Sequence, residues 1–301
     1  MSKPSKIAFI GAGSMATALA RGLVDARIAE GGNAEGSPRL LASDAKPAAV
    51  EAFTSAVPGA IAAQSNADAA DAADVLILAV KPQHVAPVLE DVADAAGDKT
   101  LVLSIAAGFP ISRLAWGLTP GARIIRAMPN TPCLVGRGAT AFSLGTHATR
   151  ADAATANRLL SAVGVAYEVT EELLDAVTGL SGSGPAYVYT MIEAMSDAGV
   201  RAGLPRAVAA DLAAQTVAGA ARMVTETGEH PALLREAVTS PAGTTAAGLA
   251  ALERGGLRAA IDDAVQAATA RAAELGGKAP LGKPPHHSHL KQAREPGPAE
   301  S

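Results

Sequence analysis

Short apolar runs alternate with helical patterns along the first half of the chain. The run DVLILAV is apolar almost throughout, which is typical of a strand covered on both faces of a sheet. Helical patterns follow in stretches such as Ser14–Ala26 and Pro82–Ala96, and Pro82 suits a first helical turn. Eight strands are predicted, at Lys6–Ile10, Arg39–Ala42, Ala60–Ala63, Asp74–Val80, Thr100–Ala106, Arg123–Met128, Ala139–Ser143 and Val165–Val169. This alternation predicts a parallel, doubly wound α/β sheet.

After about Thr170 the strand pattern stops and apolar residues recur at helical spacing. Helices are predicted at Pro185–Gly199, from the break at Gly203–Pro205 to about Glu226, and at Pro231–Val238, Thr244–Arg254 and Leu257–Leu275. The final segment is rich in Pro, Gly and Lys and has no apolar period, so it is predicted to be disordered. The pattern thus divides the chain into an α/β domain over 1–169, an all-helical domain over 170–276 and a disordered tail over 277–301.

Composition narrows the class of protein. The 301 residues carry a net charge of −4, which does not suggest a nucleic-acid or acidic-membrane partner. A single cysteine, Cys133, excludes an intrachain disulfide and is compatible with a reducing compartment. The first apolar stretch is too short for a signal peptide or a membrane span. We expect a cytoplasmic protein.

A glycine motif follows the first predicted strand. Gly11, Gly13 and Ala16 fit the pattern G-x-G-x-x-G/A, which in a Rossmann-like domain places a pyrophosphate at the N-terminus of a helix. Three further loops follow predicted strands at the same edge of the sheet: Lys81–Pro82, Ala107–Gly108 and Pro129–Pro132. One such loop is ordinary turn chemistry, but four together favour dinucleotide binding.

The choice of dinucleotide stays open at this point. Asp44 follows the second strand, where an acid binds an unphosphorylated ribose and favours NAD. Ser43 and Lys46 could instead bind a 2′-phosphate. Asp44 could equally be the N-cap of the next helix.

The segment VTSPAGTT, from Val238 to Thr245, carries four hydroxyl groups and no ionisable side chain directly before a predicted helix. Backbone N–H groups at a helix start bind anions, and hydroxyls add hydrogen bonds. The segment is therefore either an anion site or only an N-cap and turn between two helices.

These motifs together resemble those of pyrroline-5-carboxylate reductases. The resemblance covers about Lys6 to Leu275 and depends on IGAGSMATALA, LAVKPQ, SIAAG and RAMPNTP in the first half and on LSGSGPAYVY, GLP and ETGEHPALLREAVTSPAGTTAAGLAALE in the second. The part around Val238–Glu253 is the most specific, since many dehydrogenases share the glycine motif. Ala242 departs from the family, where a second Gly is frequent.

The resemblance implies the reduction of 1-pyrroline-5-carboxylate to L-proline by hydride transfer from NADPH, or possible use of NADH, as the last step of proline biosynthesis. It implies a Rossmann-like domain joined to a helical dimerisation domain, in a homodimer or a larger assembly such as a decamer. The implied cofactor-binding residues are Ile10, Gly11, Ala12, Gly13, Ser14, Met15, Ser43, Asp44, Asn66, Ala79, Val80, Lys81, Pro82, Ala106 and Ala107. The implied substrate-binding residues are Glu171, Ser240, Gly243, Thr244 and Thr245, with Thr245 as the catalytic residue that orients the imine nitrogen.

Two rival interpretations are weaker. Many hydroxy-acid reductases of similar build use a lysine on a long helix of the second domain, but the predicted helix Gly184–Val200 has no Lys or Arg. A non-catalytic dinucleotide sensor would not need a carboxylate site in the helical domain. No metal site is expected, because His84, His147 and His230 lack partners at metal-ligand spacing and the other three histidines lie in the tail.

Overall fold

The computed structural model describes residues 6–26, 28, 39–97 and 99–277. The predicted disordered tail, apart from its first residue Gly277, lies outside the described residues.

Eight strands form one sheet in the order β3-β2-β1-β4-β5-β6-β7-β8. Strands β1–β6 are parallel, as predicted. The predicted strand positions are confirmed, although β4 and β5 are shorter than the apolar runs that contain them. The strands are β1 Lys6–Ile10, β2 Arg39–Ser43, β3 Ile61–Ala62, β4 Val75–Leu78, β5 Leu101–Ser104, β6 Arg123–Met128, β7 Gly138–Leu144 and β8 Gly164–Glu168.

The prediction of a wholly parallel sheet was wrong at one edge. Strand β7 runs antiparallel to β6, and β8 pairs with β7 in parallel. The connection between β6 and β7 covers only Pro129–Arg137 and holds a short 3₁₀ helix, Thr131–Val135. A parallel crossover needs roughly a dozen residues or more, so this connection can only reverse the chain.

Six helices cover the two faces of the sheet, which confirms the doubly wound arrangement. They are α1 Ser14–Asp25, α2 Pro47–Ala56, α3 Asn66–Ala72, α4 Val85–Val92, α5 Ile111–Trp116 and α6 Arg150–Leu160. Side chains of β1 alternate between two cores: Phe9 packs with α1 and α2, whereas Ile10 packs with α3 and α4. Both are essentially fully buried, as period-two alternation requires in a sheet covered on both faces.

Residues 171–276, called the helical region here, contain only helices and turns; residues 6–169 are called the sheet region. The helices are α7 Leu174–Val177, α8 Gly184–Arg201, α9 Arg206–Thr227, α10 Pro231–Ala237, α11 Thr244–Arg254 and α12 Leu257–Leu275. Helix α12 packs closely on the π-helical turn Thr178–Gly182, where a Cβ on Gly179 would lie 2.2 Å from Thr269 Oγ1.

The helical region buries few of its side chains. Helix α9 has 22 residues, of which only Ala209 and Ala213 are buried, and α10 and α11 bury none. Large apolar side chains on these helices are exposed, among them Tyr189, Met195, Leu212, Met223 and Leu233. Apolar surface on this scale is typical of a face that another protein surface covers. Within the described residues, no helix is long and apolar enough to cross a membrane.

Candidate active site

The loops predicted to bind a dinucleotide meet at the carboxyl edge of the parallel strands. Strands β1 and β4 are neighbours although they are not consecutive, so the chain order reverses between them. Ile10, at the end of β1, is paired with Ser43 on one side and with Leu78 on the other. Doubly wound sheets bind ligands in the crevice at such a reversal.

The glycine loop between β1 and α1 is shaped by close backbone approach. Gly11 has φ +97°, and a Cβ there would lie 2.8 Å from the carbonyl carbon and oxygen of Ala79. Its N–H donates to the Ser43 carbonyl at 2.7 Å. Gly13 is the N-cap of α1, no side chain caps the helix there, and a Cβ on Gly13 would meet nothing within 4 Å. The helix start therefore presents N–H groups to open space, as a phosphate site requires.

Asp44 braces this loop from β2. Its Oδ2 accepts from the Ala12 N–H at 2.9 Å, and its Oδ1 accepts from the Lys46 N–H at 2.9 Å. The N-cap of α2 is Lys46, so the interpretation of Asp44 as the helix cap was wrong. The carboxylate holds the loop instead, because a two-residue turn separates it from the helix.

Ser43 belongs to a polar chain at the same edge. Its hydroxyl donates to Asn66 Oδ1 at 2.8 Å, and Asn66 Nδ2 donates to Asp91 Oδ2 at 2.8 Å. The structure thus brings together two of the predicted cofactor residues, and it adds Asp91 of α4, which the sequence did not single out.

The remaining predicted cofactor loops flank the reversal. Ala79 and Val80 are half-buried after β4, and Lys81 and Pro82 are exposed. After β5, Ala106 is buried and Ala107 is exposed. The predicted helix from Pro82 begins as a 3₁₀ turn, Pro82–His84, before α4. Met15 is half-buried and Ser14 is exposed on the first turn of α1.

Glu171 lies where the two regions join. Its Oε1 accepts from the Ile111 N–H at 2.7 Å and from Arg126 Nη1 at 3.1 Å. Arg126 Nη2 lies 4.0 Å from Asp175 Oδ1, and the side chains of Arg126 and Asp175 are almost fully buried. Sequence reasoning missed Arg126, although a charged residue inside the apolar strand RIIRAM requires a buried partner.

A further hydrogen bond joins the sheet region and the helical region. Asn130, in the loop after β6, donates from Nδ2 to the Ser181 carbonyl at 3.0 Å and accepts from the Ala139 N–H at 2.9 Å. A cavity of about 410 Å³ opens beside it, between this loop and helices α8 and α12. Its lining is mostly apolar and includes Pro132, Val188 and Ile261.

The segment Ser240–Thr245 forms a tight turn at the start of α11. The Gly243 N–H donates to the Ser240 carbonyl at 3.0 Å, and Ala242 has φ +59°, a left-handed conformation that usually favours glycine. A Cβ on Gly243 would lie 2.3 Å from Ser240 Oγ. Gly243 is the N-cap, and no side chain caps the helix. Thr245 therefore stands inside the first turn and is not the cap.

The turn and the cofactor edge are separate within one chain. Thr239 Oγ1 donates to the Arg235 carbonyl at 2.6 Å, which is a local bond. In the part of the chain that the structure describes, the Thr244 and Thr245 hydroxyls have no hydrogen-bond partner, and no hydrogen bond connects the turn with the sheet region. The predicted substrate residues are thus split: Glu171 lies where the two regions join, and the others lie in the turn before α11 and in its first helical turn.

The single cysteine lies in the connection between β6 and β7 and is buried. Burial raises the pKa of the Cys133 thiol, so this side chain behaves as a small apolar residue, in agreement with the single cysteine having no redox partner. Among the described residues, no group of three or more His, Cys, Asp or Glu side chains is placed to hold a metal ion.

Two family models match separate parts of the chain. A model described as "NADP oxidoreductase coenzyme F420-dependent" matches residues 6–108. A model described as "Pyrroline-5-carboxylate reductase dimerisation" matches residues 171–275.

A pyrroline-5-carboxylate reductase from Methanosarcina acetivorans is 45% identical over 273 residues, which cover 91% of this chain and 98% of the relative. A solved pyrroline-5-carboxylate reductase from Coxiella burnetii superposes with a TM-score of 0.82 at 36% identity, covering 90% of this chain and 98% of that one. A pyrroline carboxylate reductase from Plasmodium falciparum, solved with NADP bound, has a TM-score of 0.78 at 31% identity, covering 92% and 100%. With its fold and about nine-tenths of its length matched in this way, the chain belongs to the pyrroline-5-carboxylate reductase family.

Proposed function

We propose that two copies of the chain together build the site at which 1-pyrroline-5-carboxylate is reduced to L-proline by hydride from NADPH. One observation carries this proposal: of the helix starts without a side-chain cap, one lies at the cofactor edge and another begins α11, and no hydrogen bond among the described residues joins these two. Helix α11 lies in the region that matches the dimerisation model. A second copy can bring its own turn to the cofactor edge.

The sheet region supplies the NADPH site. The N–H groups at the start of α1 receive the pyrophosphate, and the ends of β2, β4 and β5 surround the rest of the dinucleotide. The proposed contacts are Ile10, Gly11, Ala12, Gly13, Ser14, Met15, Ser43, Asp44, Asn66, Ala79, Val80, Lys81, Pro82, Ala106 and Ala107. Bound NADPH supplies the hydride, and the protein positions the nicotinamide and the imine against each other.

The turn before α11 supplies the substrate site. Its free N–H groups bind the substrate carboxylate, and Ser240, Gly243, Thr244 and Thr245 shape the pocket. A cationic side chain beside a protonated imine would disfavour the charged, reactive form. Neutral N–H and hydroxyl groups avoid this effect. Thr245 orients the imine nitrogen, and Glu171 contributes through Oε2, since its Oε1 is already bonded.

This proposal divides the chain into a dinucleotide-binding domain up to Val169 and a substrate and dimerisation domain over 170–276. A dimer is the smallest assembly that it requires, and the resemblance also implies larger ones such as a decamer. A cytoplasmic location belongs to the same proposal, since one cysteine is compatible with a reducing compartment.

The activity is tested by following NADPH oxidation with and without 1-pyrroline-5-carboxylate, and then with NADH in place of NADPH. We expect oxidation only when the imine is present. NADPH oxidation without the imine, or none with it, would contradict the assignment. The ratio of kcat/KM for the two cofactors shows which dinucleotide the site prefers.

The shared site is tested by complementation between Ser14→Asp and Thr244→Asp. Both residues are exposed in the first turn of a helix, where a carboxylate stabilises the helix and repels an anionic ligand. Each variant alone should fold and be nearly inactive. When the two variants are co-expressed and pair at random, half of the dimers are mixed, and each mixed dimer has one intact site out of two. The mixture should therefore recover about one quarter of the wild-type activity. No recovery from folded, mixed dimers would place both halves of each site in one chain.

A further inference from the structure

The loop from Ile105 to Pro110, between β5 and α5, is held by both ends of the helical region. On one side, Glu171 at the beginning of the helical region accepts a hydrogen bond from the N–H of Ile111, the first residue of α5. On the other side, the end of α12 lies against Gly108, where a Cβ would come 3.4 Å from Leu275 Cβ. The loop therefore lies between the first and the last segments of the helical region.

The Glu171 side of this grip is rigid. The same Oε1 atom receives the backbone N–H at 2.7 Å and Arg126 Nη1 at 3.1 Å. Arg126 extends from β6, and its side chain is only 5% exposed. Charge-assisted hydrogen bonds are shorter and stronger than neutral ones, and a buried guanidinium is costly to leave without its partner. The carboxylate is thus fixed by a strand of the sheet and in turn fixes the start of α5.

The α12 side restricts the same loop by contact. Gly108 has φ +69°, and its carbonyl oxygen lies 3.6 Å from the position of a Cβ on Gly276. The backbone of the loop and the end of α12 are therefore in close contact. Ala106 and Ala107, which precede Gly108, are two of the residues assigned above to the cofactor.

We propose that Glu171 and Arg126 are positioning residues that set the β5–α5 loop against NADPH. This inference depends on the proposed function, which assigns Ala106 and Ala107 to the cofactor. Arg126 fixes the Glu171 carboxylate, and the carboxylate holds the start of α5 through the Ile111 N–H. A change at Glu171 therefore alters NADPH binding even when no substrate is present. A residue that touches only the substrate has no such effect.

The test compares Glu171→Ala and Glu171→Gln by fluorescence titration with NADPH alone. Alanine removes the acceptor of the Ile111 N–H and one of the two carboxylates beside the buried Arg126, so NADPH should bind roughly tenfold more weakly or worse, since small displacements of a positioning group have effects of this size. Glutamine keeps an oxygen that accepts the N–H and should stay within about threefold of the wild type. The matched control is Glu168→Gln, which breaks the exposed Arg150–Glu168 pair and should leave NADPH affinity unchanged.

Gly108→Val provides a second test from the opposite side of the loop. At φ +69° a valine strains the loop backbone, and its side chain would also meet the end of α12, so the loop must shift and NADPH affinity should again fall. The inference is overturned if Glu171→Ala and Gly108→Val both fold and bind NADPH like the wild type, whatever happens to KM for the imine. Failure of the proposed function is a separate result, because it would appear as wild-type protein that does not reduce 1-pyrroline-5-carboxylate.

Discussion

The starts of α1 and α11 are built from the same parts and placed in different surroundings. Each has a glycine at the N-cap, no capping side chain and a nearby residue with positive φ. Around α1, the loop is tied to β2 by Gly11 and Ala12, and the helix buries five residues in the core. Around α11, the hydrogen bonds that the turn makes to described residues stay within the turn and its neighbouring helix, and the helix buries no residue.

The difference shows that a helix start can have anion-binding geometry without the hydrogen bonds and core packing that fix it to the rest of the chain. One chain alone positions the first site rigidly. The second site has its local geometry but lacks a surface to hold it near the cofactor, which is consistent with the exposed apolar side chains of α8–α12. Association of two copies supplies that surface in the proposed enzyme.

The largest effect should come from a charge on the exposed apolar face. Leu212 of α9 is 54% exposed in the single chain, so Leu212→Asp should cost the isolated subunit little stability. If α9 is covered by a second copy, the buried charge disrupts the dimer, and kcat/KM should fall by roughly a hundredfold or more. Light scattering checks the mass, and NADPH titration should show that the first site survives. A fully active monomer would show that the start of α11, like that of α1, needs no second copy.

The next effect compares the two glycines of the α1 loop. Gly11→Ala places a methyl group 2.8 Å from the Ala79 backbone, at a residue with positive φ. The displaced loop should weaken the binding free energy of NADPH by about 2–3 kcal/mol, which is roughly 30- to 150-fold in affinity. Gly13→Ala meets no protein atom within 4 Å, so the melting temperature should not change. Weaker NADPH binding by Gly13→Ala would then report contact with the cofactor itself. Equal loss of stability in both variants would contradict this geometry.

At α11, Thr245→Val removes one hydroxyl and keeps the shape of the side chain. Because Gly243 is the N-cap, stability should change little. A lost hydrogen bond to a charged substrate is worth about 1.5–3 kcal/mol, so kcat/KM for the imine should fall roughly tenfold to a hundredfold with NADPH affinity retained. The control is Thr239→Val. The Thr239 hydroxyl donates to the Arg235 carbonyl, so its removal should affect stability rather than kinetics. Unchanged kcat/KM for Thr245→Val would make the segment a plain turn.

The smallest effect concerns Ala242. Among the described residues it is the one non-glycine with positive φ, and a left-handed alanine costs about 1 kcal/mol relative to glycine. Ala242→Gly should therefore favour the turn and lower KM for the imine by up to about fivefold, while kcat stays the same. Steady-state kinetics checks this, and a raised KM would mean that the methyl group restricts the turn usefully.

Much of the fold follows from periodicity alone. The short, largely apolar runs at Lys6–Ile10 and Arg123–Met128 predict strands because their length fits a strand covered on both faces better than a buried helix. The prediction missed the reversed direction of β7 because it used the alternation of strands and helices and did not consider the length of the Pro129–Arg137 connection. That length was available in the sequence.

The site could be predicted only in part. The motif at Gly11 marks a phosphate site because its chemistry is local to a strand, a turn and a helix. The bond from Glu171 to Ile111 spans 60 residues, and the polar chain from Ser43 through Asn66 to Asp91 depends on three separate elements. No spacing along the chain encodes such pairs, so their partners appear only once the sheet is assembled.

The bare start of α11 has a consequence for the energetics of turnover. In the proposed site it binds a carboxylate that the ring carries before and after reduction, so its N–H groups stabilise substrate and product alike. Uniform binding of this kind lowers KM without lowering the barrier to hydride transfer. It also retains L-proline, so product competes with substrate for the same N–H groups. Discrimination between imine and amine must then arise at the ring nitrogen.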